Sequence, residues 1–192
     1  KMNITVIGGG SGGAACSVDL SLLGAKVMLY TRSKEKTRLF NKDGLRFKGA
    51  LGEGVAKIKV TSNPKEAALH GELMVCTVPA YGQRDVARQL SPFLQKHHVI
   101  FLTPGTCGTF EFHKALRQKI RLEERRPLIG ETTTLPYGAR MIDSNTVYIS
   151  ATVARRSGVL RVASFPSKRT SDLIDVIEKI YRVKEAKNIL ET

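Results

Sequence analysis

Ile4-Thr5-Val6-Ile7-Gly8-Gly9-Gly10-Ser11-Gly12-Gly13-Ala14-Ala15 is an apolar, largely β-branched run, then a glycine cluster, then small residues that open a helix. Gly8, Gly10 and Gly13 stand at G-x-G-x-x-G spacing directly after the predicted strand, the context in which that pattern marks a dinucleotide-binding turn. The physical division of labour is specific. Gly8 permits the tight turn, Gly10 lets backbone amides approach a pyrophosphate, and Gly13 lets helix and strand pack closely. Ser11 and Gly12 open the helix, whose N-terminus carries partial positive charge and attracts an anion. The competing reading is a glycine-rich turn that binds nothing; ordering so many glycines costs backbone entropy that a plain turn avoids.

Working outward, the helix is predicted over Ser11 to Leu23, with Leu20 and Leu23 on one face and Gly24 as its stop. Lys26-Val27-Met28-Leu29-Tyr30 is the second strand, closing a βαβ unit of the size such a module needs. The end of that strand selects the cofactor. A carboxylate there accepts a hydrogen bond from the adenosine ribose of NAD, whereas a 2′-phosphate is repelled by it and held by Arg or Lys. The chain offers Thr31-Arg32-Ser33-Lys34 and no acid until Glu35, so NADP is expected, with NAD the lesser alternative. Arg32 is expected to clamp the 2′-phosphate or stack on adenine, with Thr31 and Ser33 donating hydroxyl hydrogen bonds. For Lys34 and Lys36 a solvent-facing basic turn competes with that role.

The 192 residues suffice for one domain with a sizeable core, or one domain and the start of another. No apolar run approaches a membrane span and no secretory cleavage pattern is visible, so a cytoplasmic protein is expected, with Lys1 preceding the natural start at Met2. Cys16, Cys76 and Cys107 include no C-x-x-C pair, and His70, His97, His98 and His113 lack ligand spacing, so neither disulfides nor a metal are expected. A net charge of +14 attracts phosphates or acidic partners. Lysines and arginines spread over many helices read as solvated faces. The densest basic region, Arg155-Arg156, Arg161 and Lys168-Arg169, keeps nucleic acid as a lesser alternative, without the aromatic interleaving such binding needs.

Along the remainder, a short basic helix is predicted over Ser33 to Asn41, and Leu45–Lys48 and Ala56–Val60 as short alternating strands. Asn63-Pro64 starts a helix reaching Leu69. Glu72 to Val78 is a buried strand closed by Val78-Pro79, an apolar end expected to face the nicotinamide half of a cofactor; an ordinary strand end is the alternative. A helix from Gln83 to Leu90 and a strand Val99–Leu102 follow. Thr103-Pro104-Gly105-Thr106-Cys107-Gly108-Thr109 is a turn too costly to be idle, where Cys107 reads as a reactive thiol or as a small loop filler. Leu128–Glu131 is the next strand, and Glu131 reads equally as an acceptor for a ribose or carboxamide and as a cap on backbone amides. Three alternating runs, 138–142, 146–153 and 159–165, are expected to extend the sheet as antiparallel strands, before an amphipathic helix over Ser171 to Tyr181. The sum is a doubly wound α/β domain of Rossmann type, a parallel sheet extended by antiparallel strands.

Val6–Gly13, Thr103-Pro104-Gly105-Thr106-Cys107-Gly108-Thr109-Phe110-Glu111-Phe112, Ile129-Gly130-Glu131-Thr132 and Asn188-Ile189-Leu190-Glu191-Thr192 resemble the N-terminal domain of the opine dehydrogenase family, the octopine and nopaline group. The resemblance covers nearly the whole chain. It implies reductive condensation of an amino acid with a 2-oxo acid, with hydride from NAD(P)H reducing the imine. It also implies that residues 1–185 are the cofactor domain and 186–192 the start of a linker or first helix. The family's catalytic histidine and its acidic partner belong to a helical C-terminal domain absent here, so no catalytic residue is expected in this chain, nor turnover by it alone. A missing domain also implies an apolar face near Pro166 and the C-terminus, exposed or paired in a homodimer. Rival readings are the cofactor domain of a glycerol-3-phosphate or ketopantoate type dehydrogenase, or a non-enzymatic NADP-sensing or nucleic-acid-binding module.

Overall fold

The computed structural model describes residues 2–120, 126–152 and 158–192. The opening unit is β1 (Asn3–Ile7), α1 (Ser11–Leu22) and β2 (Lys26–Tyr30). Next come α2 (Lys34–Asp43), β3 (Leu45–Gly49), β4 (Gly54–Ala56), β5 (Lys59–Thr61), α3 (Pro64–His70) and β6 (Leu73–Cys76). They are followed by α4 (Ala80–Leu90), β7 (Val99–Leu102), α5 (Gly108–Arg117) and β8 (Leu128–Glu131). The last described elements are β9 (Tyr137–Met141), β10 (Thr146–Thr152), β11 (Leu160–Ser164), α6 (Thr170–Ile177) and β12 (Val183–Glu185).

β1 pairs in parallel with β2 on one side and β6 on the other. From there the main sheet grows both ways, in the order β12-β11-β8-β7-β6-β1-β2-β5. The chain order therefore reverses between β1 and β6, which opens a crevice at their carboxyl ends. The antiparallel strands are divided between two sheets. β11 joins β8 antiparallel, but β9 and β10 combine with β3 and β4 in a separate sheet of order β4-β3-β10-β9. Ala56–Val60, read as one strand, is likewise two: β4 belongs to the small sheet and β5 lies beside β2. Alternation runs unbroken through Lys57 and Ile58, so the pattern alone hides the passage between sheets. Val153, Arg155, Arg156 and Ser157, to which strand, basic-cluster and turn roles were assigned, lie outside the described residues.

Strand alternation sends Ile4, Val6, Val75 and Phe101 to one face and Ile7, Met74, Ile100, Leu102 and Ile129 to the other, each within its own core cluster. α1 and α6 cover the first face with Ala14, Val18, Leu173 and Ile177; α3, α4 and α5 cover the second with Ala67, Val86, Leu90 and Phe112. The small sheet then lies over α1, adding Phe47, Val147 and Ile149 to the same core. α1 is consequently buried throughout Gly13–Leu20 rather than along one stripe, while Leu23 is 44% exposed. Gly24 ends the helix at φ +85.

Burial of α1 on all sides traps polar side chains: Asp19 and Cys16 are bonded, whereas Ser17 Oγ has no hydrogen-bond partner among the described residues. The Tyr137 hydroxyl donates to Asp19 Oδ2 at 3.0 Å and lies 2.7 Å from the Tyr181 hydroxyl, which is 3.4 Å from Cys16 Sγ. This chain ties α1 to β9 and to the segment after α6. Burial pushes both phenols well above the ordinary tyrosine range. Residues 186–192 contain no helix; the Ala186 amide donates to Val162 O at 2.8 Å, and Ala186 and Ile189 are buried with Ala163. Nearby Phe165 and Leu190 are exposed. No helix among the described residues is long and apolar enough to cross a membrane.

Burial also separates the thiols. Cys16 and Cys76 are fully enclosed and desolvation pushes each thiol up to about 12, whereas Cys107 is only half-buried. Since the thiolate is the reacting species, an aromatic disulfide reagent at neutral pH is expected to titrate Cys107 alone in the folded chain and all three thiols after unfolding.

Candidate functional site

The glycine turn resolves into positions required by packing and one that is not. Gly8 sits at φ +123, its amide donating to Tyr30 O at 2.9 Å. A β-carbon on Gly13 would fall on the Gly8 carbonyl oxygen, and one on Gly9 would collide with Thr31. A β-carbon on Gly10 would meet nothing within 4 Å. Gly10 is also the N-cap of α1, where no side chain caps the helix and the first turn holds no acid. The open amides and positive end of α1 thus face a cradle that a side chain on Gly10 would partly fill, the arrangement a pyrophosphate requires.

Over this turn lies a cavity of about 600 Å³ at the carboxyl ends of β1, β2 and β6. Of the expected site residues, Gly8, Gly10, Ser11, Gly12, Thr31, Arg32, Ser33, Val78 and Pro79 line it. Gly13 lies behind the wall, as its packing role demands. Thr31 and Ser33 act first on the loop: Thr31 Oγ1 accepts from the Ser33 amide at 3.3 Å, and Ser33 Oγ accepts from the Lys36 amide at 3.1 Å, capping α2. Each hydroxyl retains a proton to donate. The Arg32 guanidinium is exposed at the rim, its Nη1 3.5 Å from Asp85 Oδ2.

Sequence reasoning left Lys36 between a cofactor role and a solvent-facing basic turn. It is half-buried, lines the cavity, and its Nζ donates to Gly9 O at 2.7 Å, placing a second cation beside Arg32. Its position two residues into α2, after the Ser33 cap, was the available signal. Tyr81 and Leu135, from α4 and the segment before β9, complete the rim. No acidic side chain is among the lining residues.

Glu131 does not line the cavity; of its two sequence readings, ligand acceptor and backbone cap, the structure displays the cap. It is wholly buried, and its carboxylate accepts from the Cys107 amide at 2.7 Å and the Thr109 amide at 2.9 Å. The Thr103–Thr109 turn is thus wound around Glu131, with Thr106 and Cys107 at φ 54 and 64, and a β-carbon on Gly105 would strike the same carboxylate side chain. Pro104 reaches the cavity wall, held through its carbonyl by Gln83 Nε2 at 2.8 Å.

Fold and site together define a doubly wound Rossmann-type nucleotide-binding domain. The chain matches the family model of the ketopantoate reductases PanE/ApbA over residues 4–151 and belongs to that family. It is 25% identical to an opine dehydrogenase of Arthrobacter sp. (strain 1C), over 97% of this chain and 51% of that protein. It is 28% identical to a glycerol-3-phosphate dehydrogenase (NAD(P)+) of Acinetobacter baumannii, over 58% of this chain and 32% of that protein. Among solved structures, octopine dehydrogenase in complex with NADH and agmatine shares the fold at TM-score 0.76 and 20% identity, covering 99% of this chain and 50% of that one. A PanE/ApbA family ketopantoate reductase from Ralstonia eutropha JMP134 follows at TM-score 0.71 and 16% identity, over 98% and 57%. The chain spans between a third and a half of the length of these curated relatives.

The two glycine roles separate experimentally. Gly13→Ala is expected to cost about 3 kcal/mol of stability by overpacking, read as a lower unfolding midpoint. Gly10→Ala, at an ordinary φ of −89, should leave stability within about 1 kcal/mol while weakening dinucleotide binding in a fluorescence titration.

Proposed function

We propose that this chain is the cofactor-binding domain of an NADP-dependent oxidoreductase of opine dehydrogenase type. The observation carrying this reading is the extent of likeness in sequence, since in fold the ketopantoate reductase also covers 98% of the chain. The ketopantoate reductase model ends at residue 151, whereas the opine dehydrogenase relative runs along 97% of the chain. The solved octopine dehydrogenases, one with NADH and arginine, support it further. A bound nicotinamide supplies the hydride. The chain's own residues hold the dinucleotide: α1 amides and Gly10 at the pyrophosphate, Arg32 and Lys36 at the adenosine phosphate, Val78 and Pro79 as an apolar wall toward the nicotinamide. We place the amino acid and 2-oxo acid sites and the acid/base pair in a second domain following residue 185.

The family match favours a second reading, a ketopantoate-type enzyme that reduces a 2-oxo acid without an amine. Full-length protein assayed for NADPH oxidation with 2-oxo acids, with and without amino acids, separates the two. Dependence on an amino acid supports the first reading, and turnover with the oxo acid alone overturns it.

The cofactor preference has its own test. Losing a charge-assisted phosphate contact costs about tenfold or more in affinity, so Arg32→Ala is expected to weaken NADPH by that factor and NADH by less than about threefold. Equal NADPH affinity in both chains would overturn the assignment.

A further inference from the structure

Arg32 reaches the rim already engaged. Its partner Asp85 belongs to α4, the helix that follows β6 on the far side of β1 from β2, and the 3.5 Å contact bridges the segments that leave β2 and β6. Asp85 follows Tyr81 by four residues and Gly82 by three, so the three share a helix face; Tyr81 and Gly82 line the cavity, and Asp85 lies just outside the lining, at the rim through its contact with Arg32. Gln89, four further on, continues the stripe and accepts a 2.5 Å hydrogen bond from the hydroxyl of Tyr30, the last residue of β2. Gln89 therefore ties α4 to the end of β2, and Asp85 adds a contact to the segment just beyond it. The neighbouring Arg84 is turned the other way, its Nε 3.1 Å from Glu111 on α5.

We infer that Asp85 is a second discriminator at the adenosine ribose, supplying from α4 the carboxylate that the end of β2 lacks. This rests on the dinucleotide reading above. With an unphosphorylated ribose, the 2′-hydroxyl donates to Asp85 while Arg32 stays paired. With a 2′-phosphate, whose charge is about −1.5 to −2, Arg32 turns to the phosphate; its pair with Asp85 is exposed, at 55% and 54% of side-chain surface, and such pairs hold weakly. Asp85, beside Arg32, then repels the phosphate that Arg32 holds. The pair accepts both dinucleotides and holds the preference for NADPH below what Arg32 alone would give.

The test is the dissociation constant of NADPH and of NADH for the unsubstituted chain, D85N, R32A and the double variant, at low and physiological salt, with unfolding midpoints to show that each folds. D85N is expected to tighten NADPH about threefold and weaken NADH about threefold, so that the selectivity ratio rises about tenfold, more at low salt. In the R32A background D85N still weakens NADH. An unchanged ratio, or weaker NADPH binding by D85N, would overturn the inference and leave Asp85 a mere support for Arg32. Binding of neither dinucleotide by the unsubstituted chain would instead overturn the dinucleotide reading, and this inference with it.

Discussion

The fold depends on one close approach: α1 lies so near the turn that leaves β1 that the Gly8 carbonyl occupies the space a Gly13 side chain would need. That proximity sets the angle at which α1 departs and brings its first turn to the carboxyl end of the sheet. Because β1 is the strand from which the sheet grows in both directions, the positive end of α1 points into the crevice where the order reverses. Charge, shape and topology converge on one spot.

Holding α1 there requires burial from both sides. The main sheet supplies one wall and the small sheet the other, and Asp19, Tyr137, Tyr181 and Cys16 bond to one another between them. A second constraint sits one strand further along. Glu131 gathers the Cys107 and Thr109 amides, so that the turn after β7 keeps its left-handed residues in place and presents Pro104 to the cavity. A buried carboxyl side chain here shapes a loop next to the site.

Much of this was legible because the controlling effects are local. Strand, glycine turn and helix follow one another within residues 3–22, and Asn63-Pro64 announces α3 by cap chemistry that the structure shows as Asn63 Oδ1 accepting from the Lys65 and Glu66 amides. What escaped depends on tertiary partners. The period of Ala56–Val60 is the same whether it forms one strand or two, and only pairing with β3 and β2 divides it. Leu23 was placed on an apolar face, yet the cover on α1 ends before it. For Lys36 a solvated turn and a cofactor role compete in the sequence, and its bond to Gly9 O shows only in the fold; Asp85 lies too far from Arg32 in sequence for spacing to pair them.

The central claim is that backbone amides at the start of α1 receive a pyrophosphate. Backbone amide resonances of the labelled chain, followed by NMR as NADPH is added, report on it directly. The largest changes are expected at Gly9, Gly10, Ser11 and Gly12, with a second group at Arg32 to Lys36. A saturating titration that leaves the Gly9–Gly12 amides unmoved, or moves chiefly residues around His113 and Lys168, would contradict the account.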